Sequence, residues 1–323
     1  MSSRIKTDPL TLKYILIATL TILSEWAVSQ KKVAITIDDV PNSTLFMRDN
    51  YQSVLLEKLD SLHVPISIFI NENLIYKTDA LAENFSLLND WAKKDYITLG
   101  NHSMNHARYS KTDFDSFTDE IMTGEAITRQ LARKYDKPLK YFRFPYNDLG
   151  QDAVQHRQIK HFLAEKNYII APFTIESADW MYNAVYKHYL QNNDFTQAKA
   201  IGNLYLTKTL EAFDFFEGLS KDTYKRDINH IYLCHDNRLN ADMLPQLILE
   251  LKNRGYEIIS LEEALTDTVY QQKDLYEEKW GISWMYRWME TQDERYRYMK
   301  EEPSTEKITR HYNKILKKNT SNQ

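Results

Sequence analysis

The sequence predicts an α/β fold, a parallel β/α barrel of about seven strand–helix units, the kind of architecture that carries active sites at one rim. Two observations predict it. Short apolar, β-branched runs ending in polar residues alternate with stretches whose apolar positions recur at helical spacing, the pattern of βαβ units. The residues best suited to chemistry, Asp38/Asp39, His102/His106, Arg143, Asp179 and His235, each lie just after a predicted strand. Reactive side chains gathered at the C-terminal ends of parallel strands are what a barrel or an open doubly wound sheet produces. The number of units favours the barrel.

Taken in order, Val33–Ile37 is an apolar run that reads as a buried strand, and Tyr51–Leu62 carries Val54, Leu55, Leu59 and Leu62 at helical spacing. Val64–Ile70 is a second buried strand. Leu87–Lys94 is a helix, and Tyr96–Leu99 a short strand leading into His102-x-x-x-His106. Phe114–Tyr135 reads as one long amphipathic helix, followed by strand Tyr141–Phe144 and helix Gln151–Lys166. Tyr168–Ile175 reads as one strand, ending at Glu176-Ser177-Ala178-Asp179-Trp180. The polar-aromatic stretch 181–222 predicts a helical insertion of two helices. His230–Cys234, helix Leu244–Asn253 and strand Tyr256–Ile259 complete the repeat.

Beyond it, 268–323 reads as a helical extension. Trp280, Trp284 and Trp288 recur every four residues with Met285 and Met289 beside them, which predicts an amphipathic helix sealing the barrel. A sugar-stacking platform is the other reading of that stripe. The charged residues after Glu301 predict a solvated terminal helix.

At 323 residues the chain can hold one large α/β domain or two ordinary ones. A net charge of -4 gives no polyanion-binding signal, so nucleic acid is not a natural partner. Residues 1–29 read as a secretory signal: Arg4, Lys6 and Lys13 make a basic start, Tyr14–Leu23 an apolar segment, and Ala27-Val28-Ser29 a cleavage site that leaves Gln30 first. The apolar segment falls short of the roughly 20 residues of a membrane span, so stable insertion is not expected after cleavage. An uncleaved anchor is the alternative, because Pro9 and the long basic region are imperfect signal features. Either way the domain 30–267 is expected outside the cytoplasm, periplasmic or extracellular. A single cysteine, Cys234, excludes an internal disulfide. Oligomeric state is not readable.

One carboxylate and two imidazoles form a facial ligand set for a divalent metal, and zinc suits it, with Co²⁺ or another divalent ion as alternatives. The acid pair Asp38-Asp39 and the His102/His106 pair supply such a set, with a second carboxylate left over for proton transfer. Read alone, Asp38-Asp39 is also an Asx turn or cap, and the histidines are exposed or capping residues. Together they point to metal-assisted hydrolysis.

Thr36-Ile37-Asp38-Asp39, His102-Ser103-Met104-Asn105-His106, Arg143-Phe144-Pro145-Tyr146, Asp179-Trp180 and Leu233-Cys234-His235 stand in the order of five motifs. This set resembles the polysaccharide deacetylase (NodB-homology) family, carbohydrate esterase family 4, over about 31–265. Ala171-Pro172-Phe173-Thr174-Ile175, Leu239-Asn240-Ala241-Asp242 and Gly281-Ile282-Ser283-Trp284 resemble a bacterial branch whose substrates are largely unassigned. The resemblance implies a distorted, TIM-like (β/α)₇ barrel. It implies that Asp39, His102 and His106 bind the metal and that Asp38 is the general base, oriented and kept ionised by Arg143. The Tyr146 N–H would complete an oxyanion hole. His235 would protonate the departing amine, with Asp179 holding the ring and raising its pKa. Pro145, Tyr146, Trp180 and Leu233 would shape the substrate pocket. Asn147-Asp148 stands where a glycine commonly follows Pro-Tyr, and Glu176 where an aspartate is frequent, so the groove's shape is this chain's own. The implied activity is removal of N-acetyl groups from an acetylated carbohydrate. An O-acetyl esterase, a hydrolase of another non-peptide C–N bond, and a non-catalytic carbohydrate-binding module are the alternatives.

Overall fold

The computed structural model describes residues 30–320, with side chains through Leu316; the predicted signal segment lies outside the described residues. Strand β1 (Lys31–Val40) leads through α1 (Ser43–Arg48) and α2 (Val54–Leu62) to β2 (Ile66–Ile70), α3 (Leu81–Ala92) and β3 (Ile97–Asn101). Helices α4 (Phe114–Thr123) and α5 (Ala126–Lys134) precede β4 (Leu139–Phe142). Then come α6 (Ala153–Glu165) and two short strands, β5 (Ile169–Ile170) and β6 (Ile175–Glu176). Helices α7 (Asp179–Gln191) and α8 (Phe195–Tyr224) separate these from β7 (Asn229–His235), α9 (Arg238–Asn253), β8 (Tyr256–Ile259) and α10 (Leu261–Ala264). The tail adds α11 (Trp284–Arg287), α12 (Gln292–Met299) and α13 (Glu306–Thr320).

Every strand pairing is parallel, in the order β5-β4-β3-β2-β1-β7-β6 with β8 also on β1. Val33 to Asp38 are buried in an unbroken run, as expected of a strand covered on both faces. β7 takes one edge of β1 from Lys32 to Asp38. Along the other edge, β8 pairs Lys31 to Ala34 and β2 pairs Ile35 to Val40. The curled parallel sheet with its helices is a distorted (β/α)₇ barrel.

Closure of that barrel corrects the single strand predicted over Tyr168–Ile175. Ala171 N–H donates to Phe142 O on the β4 side (2.8 Å), and Thr174 N–H donates to Ile231 O on the β7 side (2.9 Å). Between them Pro172 has no N–H for a ladder. The chain therefore crosses from one sheet edge to the other, and its two ends form β5 and β6.

The long helix predicted over Phe114–Tyr135 is two helices, and the His102-to-His106 loop is the reason. Met104 N–H donates to Glu120 O (2.9 Å), and a Cβ on Gly124 would lie 2.3 Å from Met104 N, so this backbone approach tolerates only glycine. The buried Glu72 carboxylate then starts α5 afresh, accepting from Ile127 N–H (3.1 Å), Thr128 N–H (2.6 Å) and the Thr128 hydroxyl (2.8 Å).

Helix α9 starts six residues before the predicted Leu244, capped by Asn237, whose side-chain oxygen accepts from Asn240 N–H (2.9 Å). Pro245 lies in its interior rather than in its first turn. Inside the helix it leaves the Ala241 carbonyl without its usual donor, and Lys58 Nζ supplies one at 2.6 Å.

The tryptophan stripe is not one helix. Only Trp284–Arg287 is helical, while Trp280 stands outside it on an extended strap and is 58% exposed. Trp288 and Met285 are buried against the barrel, and Arg287 is fixed by Asp274 at 2.7 Å. Among the described residues no helix is long and apolar enough to cross a membrane.

Candidate active site

The C-terminal ends of the strands open into a cavity of about 810 Å³. Asp38, Asp39, His102, His106, Tyr146, Trp180, Leu233 and His235 all line it, joined by Trp280 of the tryptophan stripe and by Asn42, Asn71, Arg108 and Asp236, which had no assigned role. Arg143, Asp179 and Pro145 are buried and do not line it.

Asp38 is buried near the end of β1, and Asp39 follows with φ 60, a left-handed residue that sends the two neighbouring carboxylates different ways. Aspartate tolerates that conformation better than most residues. His102 follows β3, its N–H donating to Ile70 O (2.9 Å) and its Nδ1–H to Arg143 O (2.8 Å). That second bond fixes the tautomer and leaves Nε2 unprotonated. Ser103 (φ 65) and His106 (φ 58) fold the loop back. Asn71 pins it, accepting from His106 N–H (3.0 Å) and donating to Met104 O (2.6 Å) in the amide orientation that satisfies both.

The result is convergence. Asp39 Oδ1 lies 3.4 Å from His106 Nε2 and 3.8 Å from His102 Nε2, and one ligand atom from each residue lies within 4.8 Å of the others. His102 Nε2 and Asp38 Oδ1 are buried without a hydrogen-bond partner among the described residues. Leaving such groups unpaired costs about 1–3 kcal/mol each. Burial, with the neighbouring His106, holds His102 well below the ordinary histidine range, which keeps it neutral. A neutral imidazole pair and a carboxylate facing one point are the donor set a divalent cation requires, so these residues fit a metal.

Arg143 is wholly buried after β4, its guanidinium 4.6 Å from the Phe69 ring centroid. It donates to Thr36 Oγ1 and Pro172 O, both at 3.2 Å, and stands 3.7 Å from Asp38 Oδ2. The contact with Asp38 is therefore Coulombic rather than a hydrogen bond. Burial outweighs Arg143 and pushes Asp38 up to about 6.

On the neighbouring strand, β1–β7 register sets His235 beside Asp38. His235 Nδ1–H donates to Asp179 Oδ1 (2.7 Å), leaving Nε2 as the ring's other polar atom. Asp179 Oδ2 accepts from His235 N–H (2.9 Å), Asn237 Nδ2 (2.9 Å) and Asn240 Nδ2 (2.6 Å). Burial alone would lower the imidazole, but the Asp179 charge and hydrogen bond overcome it and raise His235 to about 10. Asp236 accepts from Asn42 N–H (2.8 Å), and burial pushes its carboxyl up to about 7. The Asn42 and Asp236 pair had no signal beyond adjacency to His235.

Pro145 begins a single turn in which Tyr146 (φ 57) and Asn147 (φ 51) are left-handed. Tyr146 thereby reaches over the metal-ligand candidates, its ring 4.6 Å from His106, with the Arg108 guanidinium 3.9 Å from the ring centroid. Leu233 is buried at the cavity wall, and Trp180 is half exposed with Tyr312 of α13 at its edge (5.4 Å).

Residues 26–161 match the family model of polysaccharide deacetylase. The matched segment holds Asp38, Asp39, His102, His106 and Arg143, while Asp179, Trp180, Leu233 and His235 lie beyond it. No curated protein matches the chain. Solved structures resemble the fold of the chain. Wild-type BA3943 from Bacillus anthracis, described as a CE4 family pseudoenzyme, is 16% identical with a TM-score of 0.50, covering 74% of this chain and 66% of that one. The polysaccharide deacetylase Bc1974 from Bacillus cereus is 20% identical (TM-score 0.47, 71% and 91% covered). The peptidoglycan deacetylase PdaC from Bacillus subtilis is 18% identical (TM-score 0.44, 74% and 93%).

Proposed function

We propose that the protein is a metal-dependent hydrolase that removes N-acetyl groups from an amino-sugar polymer or oligomer. The carrying observation is one cavity in which Asp39, His102 and His106 converge beside a buried Asp38 and face an Asp179-backed His235. A divalent ion held by those three residues, Zn²⁺ by the donor set, supplies Lewis-acid polarisation of the acyl oxygen and a lowered pKa for water.

This chain's residues supply the proton transfers. Asp38, unpaired at Oδ1 and with the Arg143 charge 3.7 Å from Oδ2, takes a proton from the attacking water. Tyr146 N–H donates to the oxygen on which charge develops. An amide leaves only as a protonated amine, so His235 Nε2 delivers a proton to nitrogen as the C–N bond breaks, and Asp179 keeps it charged until then. An imidazole raised to about 10 is protonated across the neutral range, as the acid for a departing amide nitrogen must be. Leu233 and Trp180 line the space for the acetyl methyl, and Tyr146 faces the sugar. The basic, apolar and small residues of 1–29 support export as the setting for such a substrate.

The test is acetate release from N-acetylglucosamine oligomers and from O-acetylated xylan, with divalent metal added. Release from the amide substrate, exceeding an Asp38→Asn control by about 10²–10⁴-fold, is expected from loss of a general base. Release confined to the ester would reassign the reaction. Glycan binding with no release above the control would make the domain a binding module.

A further inference from the structure

Trp280 is the most exposed aromatic side chain lining the catalytic cavity, at 58% against 50% for Tyr146 and 48% for Trp180. It belongs to the C-terminal strap, outside the barrel's repeating units. Its ring meets Lys279 Nζ at 5.1 Å, a contact that leaves most of the indole face open. This leaves a large apolar surface at the mouth of a polar cavity for a ligand in that cavity to cover.

The strap itself is built in place. A Cβ on Gly281 would lie 1.9 Å from Tyr146 O, so the strap backbone lies directly against the Tyr146 turn. Ser283 Oγ donates to Thr174 O (2.7 Å), and Trp284 N–H donates to Phe173 O (3.0 Å). Buried Arg287 anchors the far end on Asp274, which also holds Lys160 (2.8 Å). Phe173, Tyr146 and Gly281 all line the cavity, so these bonds tie Trp280 to the wall of the site.

We propose that Trp280 is a sugar-stacking residue that forms an outer subsite, so that the cavity selects an oligomer or polymer chain over a single acetylated sugar. This rests on the deacetylase reading above. A pyranose ring presents a flat face of C–H groups that covers an indole, and a ring fixed before binding loses little entropy when it is covered. About 810 Å³ lies toward the large end for a small-ligand site, with room beyond the residue being deacetylated.

The experiment compares kcat/KM for acetate release from the N-acetylglucosamine tetramer and monomer, using the metal-supplemented full chain. In Trp280→Ala the tetramer-to-monomer ratio is expected to fall about tenfold, the size of one lost aromatic contact, and Trp280→Phe is expected to restore most of it. An unchanged ratio overturns the proposal, as does an equal loss on both substrates. A binding arm separates this from the reaction: calorimetric titration of the tetramer into Asp38→Asn and into Asp38→Asn with Trp280→Ala. If wild-type protein releases no acetate, the deacetylase reading fails, yet weaker binding to the double variant still supports the subsite. Equal binding by both, or binding by neither, overturns it.

Discussion

Asp179 turns four hydrogen bonds toward keeping one imidazole in place and charged, and this makes His235 the residue with the clearest pH signature. Its pKa stands near 10 because the Asp179 charge and hydrogen bond overcome burial. Its contribution to folding stability is therefore complete below the unfolded value of ~6.5 and is lost as pH rises from there through about 10. Activity that needs the protonated ring follows the same limb. In Asp179→Asn the main raising group is gone and burial remains, so the alkaline limb should move down toward or below ~6.5. A bound cation lowers the limb in both proteins, which makes the difference between the two pH–rate profiles the readout. An unmoved limb would remove Asp179 from this role. His235 and Asp179 were both legible, since each ends a strand-like run. Asn237 and Asn240 were not assigned a role, because an asparagine three residues past another reads as a cap. Asn237 is indeed a cap, and it reaches Asp179 as well.

At the scale of elements, strand–helix alternation was readable because parallel strands buried on both faces leave mostly apolar runs that are buried throughout, as in Val33–Ile37 and Ile66–Ile70. What failed was continuity. Helical periodicity runs straight through Gly124, and nothing local in the sequence reports that the His102-to-His106 loop passes against it. Gly124→Ala tests that packing. Its Cβ would meet Met104 N at 2.3 Å, so the loop must shift, with an expected cost of about 1–3 kcal/mol for an overpacked contact and a weaker metal affinity. Urea melts and metal titration of the same variant measure both, and a normal affinity would show that the loop adapts freely. Helix α9 offers a second test. Lys58→Met removes the donor to the Ala241 carbonyl beside Pro245, with an expected loss of about 1 kcal/mol in the same melts. The tryptophan stripe misled for a related reason: a four-residue period is compatible with a helix, while Gly281 and the bond from Trp284 to Phe173 hold an extended strap.

Over the whole molecule, the barrel gathers residues from β1, β3, β4, β7 and α7 at one rim, so the site depends on closure more than on any one segment. Metal binding should in turn stabilise the fold, because the unfolded chain has no convergent ligand set: at a hundredfold excess over Kd the gain is about 2.7 kcal/mol. That gain should appear as a Tm roughly 4–5 °C above that of chelator-treated protein. The division between the two adjacent acids is the claim on which the rest depends, with Asp39 a ligand and Asp38 the base. It is tested most directly by measuring bound metal and acetate release together in wild-type, Asp38→Asn and Asp39→Asn proteins. The account predicts that Asp38→Asn keeps its metal and loses turnover, while Asp39→Asn loses the metal. Metal loss in Asp38→Asn, or full metal occupancy in Asp39→Asn, would contradict it.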